Sequence, residues 1–584
     1  MGTIYMNRKQ YDEIGEFYLS LGLSEKQAKR LQKNVFNYSV KPDEDMPYNE
    51  RWSFYPQHKS EGFGGLFAGA VSGLRSGGLG RAKNSSVPSD GMARCAAPMM
   101  MAMASRAPAC AEVEEVCEDA CIEDGAADEE PEFSTAETHA ADELPEMDPL
   151  ADTEVIFSAN VNSASWSYVR NTVKRGRAID PSFVRAEEMI NCCDYAIEAP
   201  KDKTFAVAAQ TAPCPWREDA ELLFVGIKGM ETADRKPNHL VFLVDVSGSM
   251  QDEVVLEQMA IMALVSKLGK GDTMSVITYS DKTKTIIRNL ECGDMDKCID
   301  AVLDIYFENG CTYGSEGLEN AYELLSAYKN DEANNRVFIF TDGDFNFGIS
   351  SEGGLAEFIK EKKKSGIYLS VVGYGMHNFK DNHMEALSRN GNGNYCFVGS
   401  PEDIKERLFG QFDATVYSIA KDVKIKVELN PEYVGSYRLI GYNARKLTRQ
   451  DFDDTEKAVD GFGSGQMTAA LIEFTRKKTA ESASSRYTVT ESKKVSDEFA
   501  AVTIRYKNPA DENTEQLEVI KAAELSEGSF AETAAYLAAF GLEMSKSQFK
   551  GNIDPALLGS LLEKHRGDEK LAAYNDVFAR YLKK

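Results

Sequence analysis

Five oxygen-bearing side chains stand where apolar stretches of the sequence end. They are Asp245, Ser247 and Ser249 of Asp-Val-Ser-Gly-Ser, Thr312 of Asn-Gly-Cys-Thr-Tyr-Gly, and Asp342 of Thr-Asp-Gly-Asp. Mg²⁺ takes about six oxygen ligands at roughly 2.0–2.1 Å and usually keeps some water, and carboxylate and hydroxyl oxygens suit it. These residue types therefore predict a divalent metal site that needs no His or Cys ligand.

The elements around these residues should bring them to one place. HLVFLVD before the first loop and RVFIFTD before the last are apolar strands, and strands alternate with amphipathic helices over residues 237–419. This alternation predicts an α/β fold with a doubly wound, mostly parallel, Rossmann-like sheet, in which ligands bind at the carboxyl ends of the strands. Asp and Ser are also common helix caps, so the combination of three loops, and not the first motif alone, favours a metal site.

The remaining segments differ in composition. Residues 1–50 predict a short helical segment, and residues 60–150, rich in Gly, Ala and Met and then acidic, predict a disordered linker. Residues 151–236 predict a mixed α/β module. Residues 420–584 alternate in period two and then become helical, which predicts a C-terminal module that is β-rich and ends in helices.

Charge limits the class of partner. The chain has 66 basic and 93 acidic residues, a formal net charge of -27, and 16 of the acidic residues lie in residues 111–150. Nucleic acid is therefore a poor partner.

Targeting signals and cysteines bear on the compartment. No apolar run reaches the ~18 residues that span a bilayer, and the N-terminus MGTIYMNRKQYDEIGEF does not read as an export signal. The eleven cysteines lack CxxC spacing, which favours a reducing compartment, and the cytoplasm is the predicted location.

Motifs of catalysis do not accompany the oxygen site. The six histidines are scattered, and the chain has no HExxH, P-loop, GxSxG elbow or Rossmann glycine fingerprint. The sequence predicts a protein that is not an enzyme and has no catalytic residues. A metal-dependent hydrolase stays open as the less favoured reading, because a metal with an open position can activate water.

The segments VFLVDVSGSM, GCTYG and FIFTDGDFN resemble the metal-ion-dependent adhesion site of von Willebrand factor type A domains. The resemblance covers residues 237–419. It implies that Ser247, Ser249 and Thr312 ligate the ion directly and that Asp245 and Asp342 bind directly or through water. The implied ion is Mg²⁺ first, with Mn²⁺ or Ca²⁺ as alternatives, and an acidic residue of a partner completes the ligand set.

The flanking segments resemble a bacterial group that places its own N- and C-terminal modules around this domain. That group is commonly extracytoplasmic, and Asn160 and Asn162 stand where its pattern usually has aspartates. The resemblance implies an adhesion or assembly protein that captures a partner's Asp or Glu through the ion, and a movable C-terminal helix around residues 401–418. A metal-stapled scaffold, or an adaptor for an AAA-type ATPase, is the alternative.

Overall fold

The computed structural model describes residues 3–5, 8–34, 39–41, 143–149, 152–159, 164–232, 235–306, 314–343, 358–359, 361–362, 366–375, 384, 387–388, 390–391, 393–443, 445–455, 457, 459–477, 498–509, 511–522 and 526–583. All of them belong to one compact unit made of residues 1–54 and 138–584. Thr312, Asn160, Asn162 and most of the predicted linker lie outside the described residues.

The N-terminal segment contains a helical hairpin. Its elements are β1 (Thr3–Tyr5), α1 (Arg8–Ser20), α2 (Glu25–Asn34) and β2 (Ser39–Lys41). The Ser24 backbone N–H donates to Gln27 Oε1 at 3.0 Å and the Gln27 N–H donates to Ser24 Oγ at 3.4 Å, which is a capping box that starts α2. The hairpin is joined to the rest of the protein by a buried hydrogen bond from Asn34 Nδ2 to Gln258 Oε1 at 3.1 Å.

The segment before the central domain combines strands and helices. Its elements are β3 (Glu154–Ser158), α3 (Ala164–Lys174), a 3₁₀ turn (Pro181–Phe183), α4 (Ala186–Asn191), β4 (Phe205–Pro213) and β5 (Ala220–Gly229). Part of the predicted linker is folded against the C-terminal part, because Met147, expected in the linker, exchanges backbone hydrogen bonds with Tyr437 at 2.7 and 3.0 Å. Its partner lies almost 300 residues away, so local composition gave no sign of this pairing.

The central domain is built on a sheet with the order β11-β10-β9-β6-β7-β8. Its strands are β6 (Asn238–Asp245), β7 (Thr273–Tyr279), β8 (Thr283–Glu291), β9 (Asn334–Thr341), β10 (Ile367–Gly373) and β11 (Tyr395–Phe397). Neighbouring strands are parallel except for the β7–β8 hairpin. The predicted doubly wound, mostly parallel sheet is therefore confirmed.

Helices cover both faces of this sheet. They include α5 (Val254–Val265), α6 (Met295–Leu303), α7 (Gly314–Tyr328) and α8 (Pro401–Asp403), which continues as a π-helix (Ile404–Phe409) before α9 (Phe412–Val416). Alternate β6 residues point to opposite cores: Phe242 packs with α5, whereas Leu243 packs with the side chains of α7. Burial on both faces explains why β6 reads as a continuous apolar run.

The C-terminal part supplies the remaining elements. They are β12 (Ser418–Leu429), β13 (Val434–Leu439), α10 (Arg449–Asp453), β14 (Phe462–Gly463), β15 (Met467–Arg476), β16 (Ala500–Asn508), β17 (Asp511–Ala522), β18 (Ser526–Glu527), α11 (Ser529–Met544), α12 (Pro555–His565), a 3₁₀ turn (Glu569–Leu571) and α13 (Ala572–Tyr581). The order of a β-rich stretch followed by helices agrees with the prediction. No helix in the described part of the chain is both long and apolar enough to cross a bilayer.

Segments on both sides of the central domain build one pair of packed sheets. One sheet has the order β14-β12-β16-β17 with β3 also paired to β12, and the other has the order β13-β15-β5-β4-β18. Phe157 of β3 lies opposite Ile425 of β12, and Leu223 of β5 lies opposite Ile472 of β15. All four side chains belong to one apolar core. The two flanks therefore fold together as a sandwich.

A buried ion pair joins α3 to the start of the C-terminal helical segment of the central domain. Arg170 Nη2 donates to Asp403 Oδ1 and, at 2.9 Å, to Ser400 Oγ, and Ser167 Oγ also donates to Asp403. The Arg170 and Asp403 side chains are 3% and 4% exposed. Because removing one partner leaves the other charge buried, Arg170→Met should lower the free energy of unfolding by about 3–5 kcal/mol, measured by urea denaturation.

A matched control lies one turn along the same helix. Lys174 pairs with Glu402 at 3.4 Å, but these side chains are 41% and 51% exposed. Lys174→Met should therefore change stability by less than about 1 kcal/mol. Equal effects of the two substitutions would show that the buried pair does not hold α3 to α8.

Candidate functional site

Two neighbouring strands of the central sheet deliver the predicted site residues to one edge. Strand β6 ends at Asp245 and turns through Ser247 into a 3₁₀ turn, Gly248–Asp252. Strand β9 ends at Thr341 and is followed by Asp342. The strands are parallel and adjacent, with Val244 opposite Phe340. The Asp245 and Asp342 loops therefore leave the sheet side by side at its carboxyl edge.

Asp245 is the buried centre of this edge. It is 0% exposed, and its Oδ1 accepts a hydrogen bond from the Ser247 backbone N–H at 2.9 Å. Its Oδ2 accepts one from Thr341 Oγ1 at 3.3 Å. The Ser247 and Ser249 hydroxyl oxygens lie 3.2 Å apart, and Ser249 is exposed. A carboxylate and two hydroxyls thus line one turn whose outer end opens to solvent.

The second carboxylate lies near the first. Asp342 is 6% exposed, and its charge contributes to the raised pKa of Asp245. Gly343 follows it with a φ of 94°, a left-handed conformation that favours glycine. The structure thus brings together four of the five predicted ligands, Asp245, Ser247, Ser249 and Asp342. Thr312 lies outside the described residues and remains a prediction.

Burial sets the electrostatics of the edge. It raises the pKa of Asp245 to about 6, against the opposing effect of the Ser247 hydrogen bonds, and Asp342 raises it further. A bound cation would stabilise the ionised form of both carboxylates. The donor set of two carboxylates and small hydroxyls is that of a hard divalent ion.

A third carboxyl group behind this edge was not predicted from the sequence. Glu257 of α5 is 0% exposed, and neither of its carboxyl oxygens has a hydrogen-bond partner among the described residues. Burial raises its pKa well above the usual range, and the charges of Asp245, Glu253 and Asp342 add to this shift. The only hint in the sequence was an acidic residue within the apolar stretch VVLEQMAIMALV.

Tyr374 lies on the same side of the sheet. Its ring stacks on Phe340 with centroids 6.5 Å apart, and its buried hydroxyl has no partner in the described part of the chain. Burial raises its pKa well above the usual range, and Glu257 is the next cause. Two buried polar groups near the site, the Glu257 carboxyl and the Tyr374 hydroxyl, therefore lack hydrogen-bond partners among the described residues.

Comparison with known families agrees with this architecture. Residues 239–410 match the von Willebrand factor type A domain, residues 414–584 match the C-terminal region of the uncharacterized protein YfbK, and residues 132–224 match a family described as von Willebrand factor. The central domain of this chain is therefore similar to von Willebrand factor type A domains. The resemblance found from the sequence, including the flanking modules, is confirmed.

Individual relatives match this chain over different lengths. The uncharacterized protein YfbK of Escherichia coli strain K12 is 28% identical over 465 residues, which is 77% of this chain and 80% of YfbK. Inter-alpha-trypsin inhibitor heavy chain H3 of Mus musculus is 22% identical over 247 residues, 39% of this chain and 27% of that protein.

A solved structure, the von Willebrand factor type A protein from Catenulispora acidiphila, is 13% identical with a TM-score of 0.33, covering 57% of this chain and 78% of that one. The type A domain indicates a role in protein–protein interaction or adhesion.

Proposed function

We propose that this protein captures a partner protein through a divalent cation, Mg²⁺ first, held by Asp245, Ser247, Ser249, Thr312 and Asp342. An Asp or Glu carboxylate of the partner is the further ligand. The observation that carries the proposal is the buried Asp245 carboxylate beside two hydroxyls and a second carboxylate, at the sheet edge where α/β folds bind ligands.

The composition of the ligand set explains why an acidic partner is chosen. Three of the five residues are neutral hydroxyls, and only Asp245 and Asp342 carry charge. A divalent ion in this set keeps Lewis acidity toward an incoming anion. Ser249 is exposed, so the open side of the site faces solvent and a partner side chain can approach it.

The surrounding residues hold the ligands in place before a partner arrives. The Ser247 N–H and the Thr341 hydroxyl each fix one oxygen of Asp245. Asp342 is held between the buried strand β9 and Gly343, whose backbone is left-handed. Ligands fixed on strand ends lose little conformational freedom when the ion binds.

Affinity capture tests this proposal against two alternatives. We expect the full chain to retain a protein in Mg²⁺, to release it in EDTA, and to retain it again when Mg²⁺ is restored. Ser249→Ala, which removes one exposed ligand, should weaken retention. Retention that is indifferent to EDTA would instead support a scaffold, and turnover of a phosphate or peptide substrate would support an enzyme.

Proton competition gives a second prediction. Burial raises the folded-state pKa of Asp245 from 3.8 to about 6. In the metal-free protein, the contribution of Asp245 to stability is therefore complete below about pH 3.8. It is lost as the pH rises through about 6. The shift corresponds to roughly 3 kcal/mol.

Mg²⁺ reverses this loss by binding the ionised form. We expect saturating Mg²⁺ to raise the melting temperature by several degrees at about pH 7.5 and much less at about pH 5, with the apparent affinity falling roughly tenfold per pH unit below about 6. An equal Mg²⁺ shift at both pH values, measured by thermal denaturation, would exclude Asp245 as a ligand.

A further inference from the structure

A cavity of about 780 Å³ lies where the π-helix of the type A domain meets the flanking sandwich. Its wall includes Arg407 of the π-helix, Lys228 of β5, Cys192 at the end of α4, and Tyr574 of α13. The volume falls within the range of small-molecule sites, roughly 300–1,000 Å³. The cavity is lined by the type A domain and by both flanks, and it uses none of the predicted metal ligands.

Arg407 differs from the buried arginines of this protein in its contacts. Arg170 donates to Asp403, Arg438 donates to Glu473 at 2.9 Å, and Arg336 donates to Ser370 at 2.7 Å. The half-buried Arg407 side chain, in contrast, has neither an ion pair nor a hydrogen bond within the part of the chain that the structure describes. A guanidinium stays charged at every physiological pH, so a cation without a hydrogen-bonded partner among the described residues faces the cavity.

The nearest groups do not neutralise this cation. Burial raises the pKa of the Cys192 and Cys396 thiols to about 12, so both are uncharged near neutral pH. The charge of Glu406 acts on Arg407, but this carboxylate is 48% exposed and pairs with Arg170 at 3.4 Å. Asp413, the other acidic residue on this part of the wall, pairs with Arg235.

The other charges of the wall are Lys228 and Lys570 on the basic side and Asp194 and Glu231 on the acidic side. Asp194 and Glu231 are exposed, so solvent screens them. No ion pair to Lys228 is present among the described residues, and this lysine is half-buried. The half-buried charges of the wall, Arg407 and Lys228, are therefore both basic, whereas Asp194 and Glu231 are exposed.

We propose that this cavity binds a small organic anion whose carboxylate or phosphate group is held by Arg407. The planar guanidinium binds either group through two parallel hydrogen bonds, and Lys228 adds a second positive charge. The cavity is much larger than an oxyanion, so the rest of the ligand lies against Tyr574 and the polar groups of the sandwich.

Titration calorimetry on the full chain tests this site with two probes, inorganic phosphate and malonate. The protein is first treated with EDTA and then dialysed into metal-free buffer without EDTA, so that the divalent metal site plays no part and no chelator competes for the cavity. We expect one anion to bind per chain, with the tighter probe identifying the preferred group. Arg407→Gln should weaken binding at least about tenfold, because hydrogen bonds between charged groups are stronger than those between neutral groups.

Lys405→Gln is the matched control, because Lys405 is exposed on the same π-helix and does not line the cavity. It removes the same charge and should leave affinity unchanged. Arg407→Lys keeps the charge without the planar fork and should bind with intermediate affinity. Lys228→Gln, in the part of the wall formed by β5, reports on the same cavity if Arg407→Gln fails to fold.

Wild-type affinity in both Arg407→Gln and Lys228→Gln, no binding of either probe to the native chain, or equal losses in Arg407→Gln and Lys405→Gln would overturn the proposal. Asp245→Ala should bind the probes as the native chain does. The anion site and the metal site can therefore fail separately.

Discussion

Replacing Asp245 by alanine is expected to weaken Mg²⁺ binding by more than about a hundredfold and to abolish metal-dependent capture of a partner. Loss of an outer-shell partner alone commonly costs 10–100-fold in metal affinity, and Asp245 is proposed as a ligand. The substitution also removes one of the two charges in the site and the acceptor of the Ser247 and Thr341 hydrogen bonds. The apolar sheet core beneath it is untouched, so the domain should stay folded.

Mn²⁺ is a suitable probe for this experiment, because its paramagnetism reports binding directly and Mg²⁺ and Ca²⁺ can be ranked by competition. Asp331→Ala is the matched control: it also removes one carboxylate, from an exposed pair with Lys329 in the loop before β9. We expect Asp331→Ala to bind metal normally. Unchanged metal affinity in Asp245→Ala would refute the proposed ligand set.

Replacing Glu257 by methionine is expected to stabilise the metal-free protein. The carboxyl is completely buried and has no hydrogen-bond partner in the described residues, and methionine fills a similar volume without a polar group. Removing a buried, unsatisfied polar group should raise the free energy of unfolding by roughly 1–3 kcal/mol at neutral pH.

The pH dependence of this gain distinguishes Glu257 from Asp245. Glu257 has a folded-state pKa far above its usual 4.5, so its contribution to stability is complete below about 4.5 and falls by up to about 1.4 kcal/mol per pH unit as the pH rises toward the folded value. Above about pH 7 Asp245, with a folded-state pKa of about 6, is largely ionised in both states. A slope between about pH 7 and 8 that is present in the native chain and absent in Glu257→Met is therefore due to Glu257.

Glu319 offers a control, since it is exposed on α7. Glu319→Met should change stability by less than about 0.5 kcal/mol. Urea denaturation in EDTA at several pH values gives both quantities. A Glu257→Met variant that is less stable than the native chain would show that the carboxyl makes a favourable contact that outweighs its desolvation.

The sequence placed the Asp245 and Asp342 loops at one sheet edge because the information for this prediction is local. Asp245 and Asp342 each follow an apolar strand directly, and parallel strands end at a common edge, so the pattern alone placed both loops together. Glu257 was missed for the opposite reason. A carboxylate in a helix is ordinarily solvated, and only the packing of α5 on the sheet shows that this one is enclosed.

The pairing of strands in the sandwich could not be predicted from local sequence patterns either. Period two predicted strands on both sides of the type A domain, but it cannot show that β5 pairs with β15 across about 240 residues of chain. That register depends on which apolar faces meet in the folded core. The cavity around Arg407 follows from the same long-range pairing, because its walls come from segments far apart in sequence.

The interleaved sandwich also orders the events of biosynthesis. Strands β3, β4 and β5 are synthesised before the type A domain. Strand β12, which pairs with β3, and strand β15, which pairs with β5, are synthesised after it. Until residue 476 has been synthesised, β3 and β5 do not have the complete set of strands with which they pair in the native protein. The type A domain has its own complete sheet and can fold before these strands are paired. Once folded, it holds residues 238 and 416 at a fixed separation, which shortens the loop that must close to unite the two flanks.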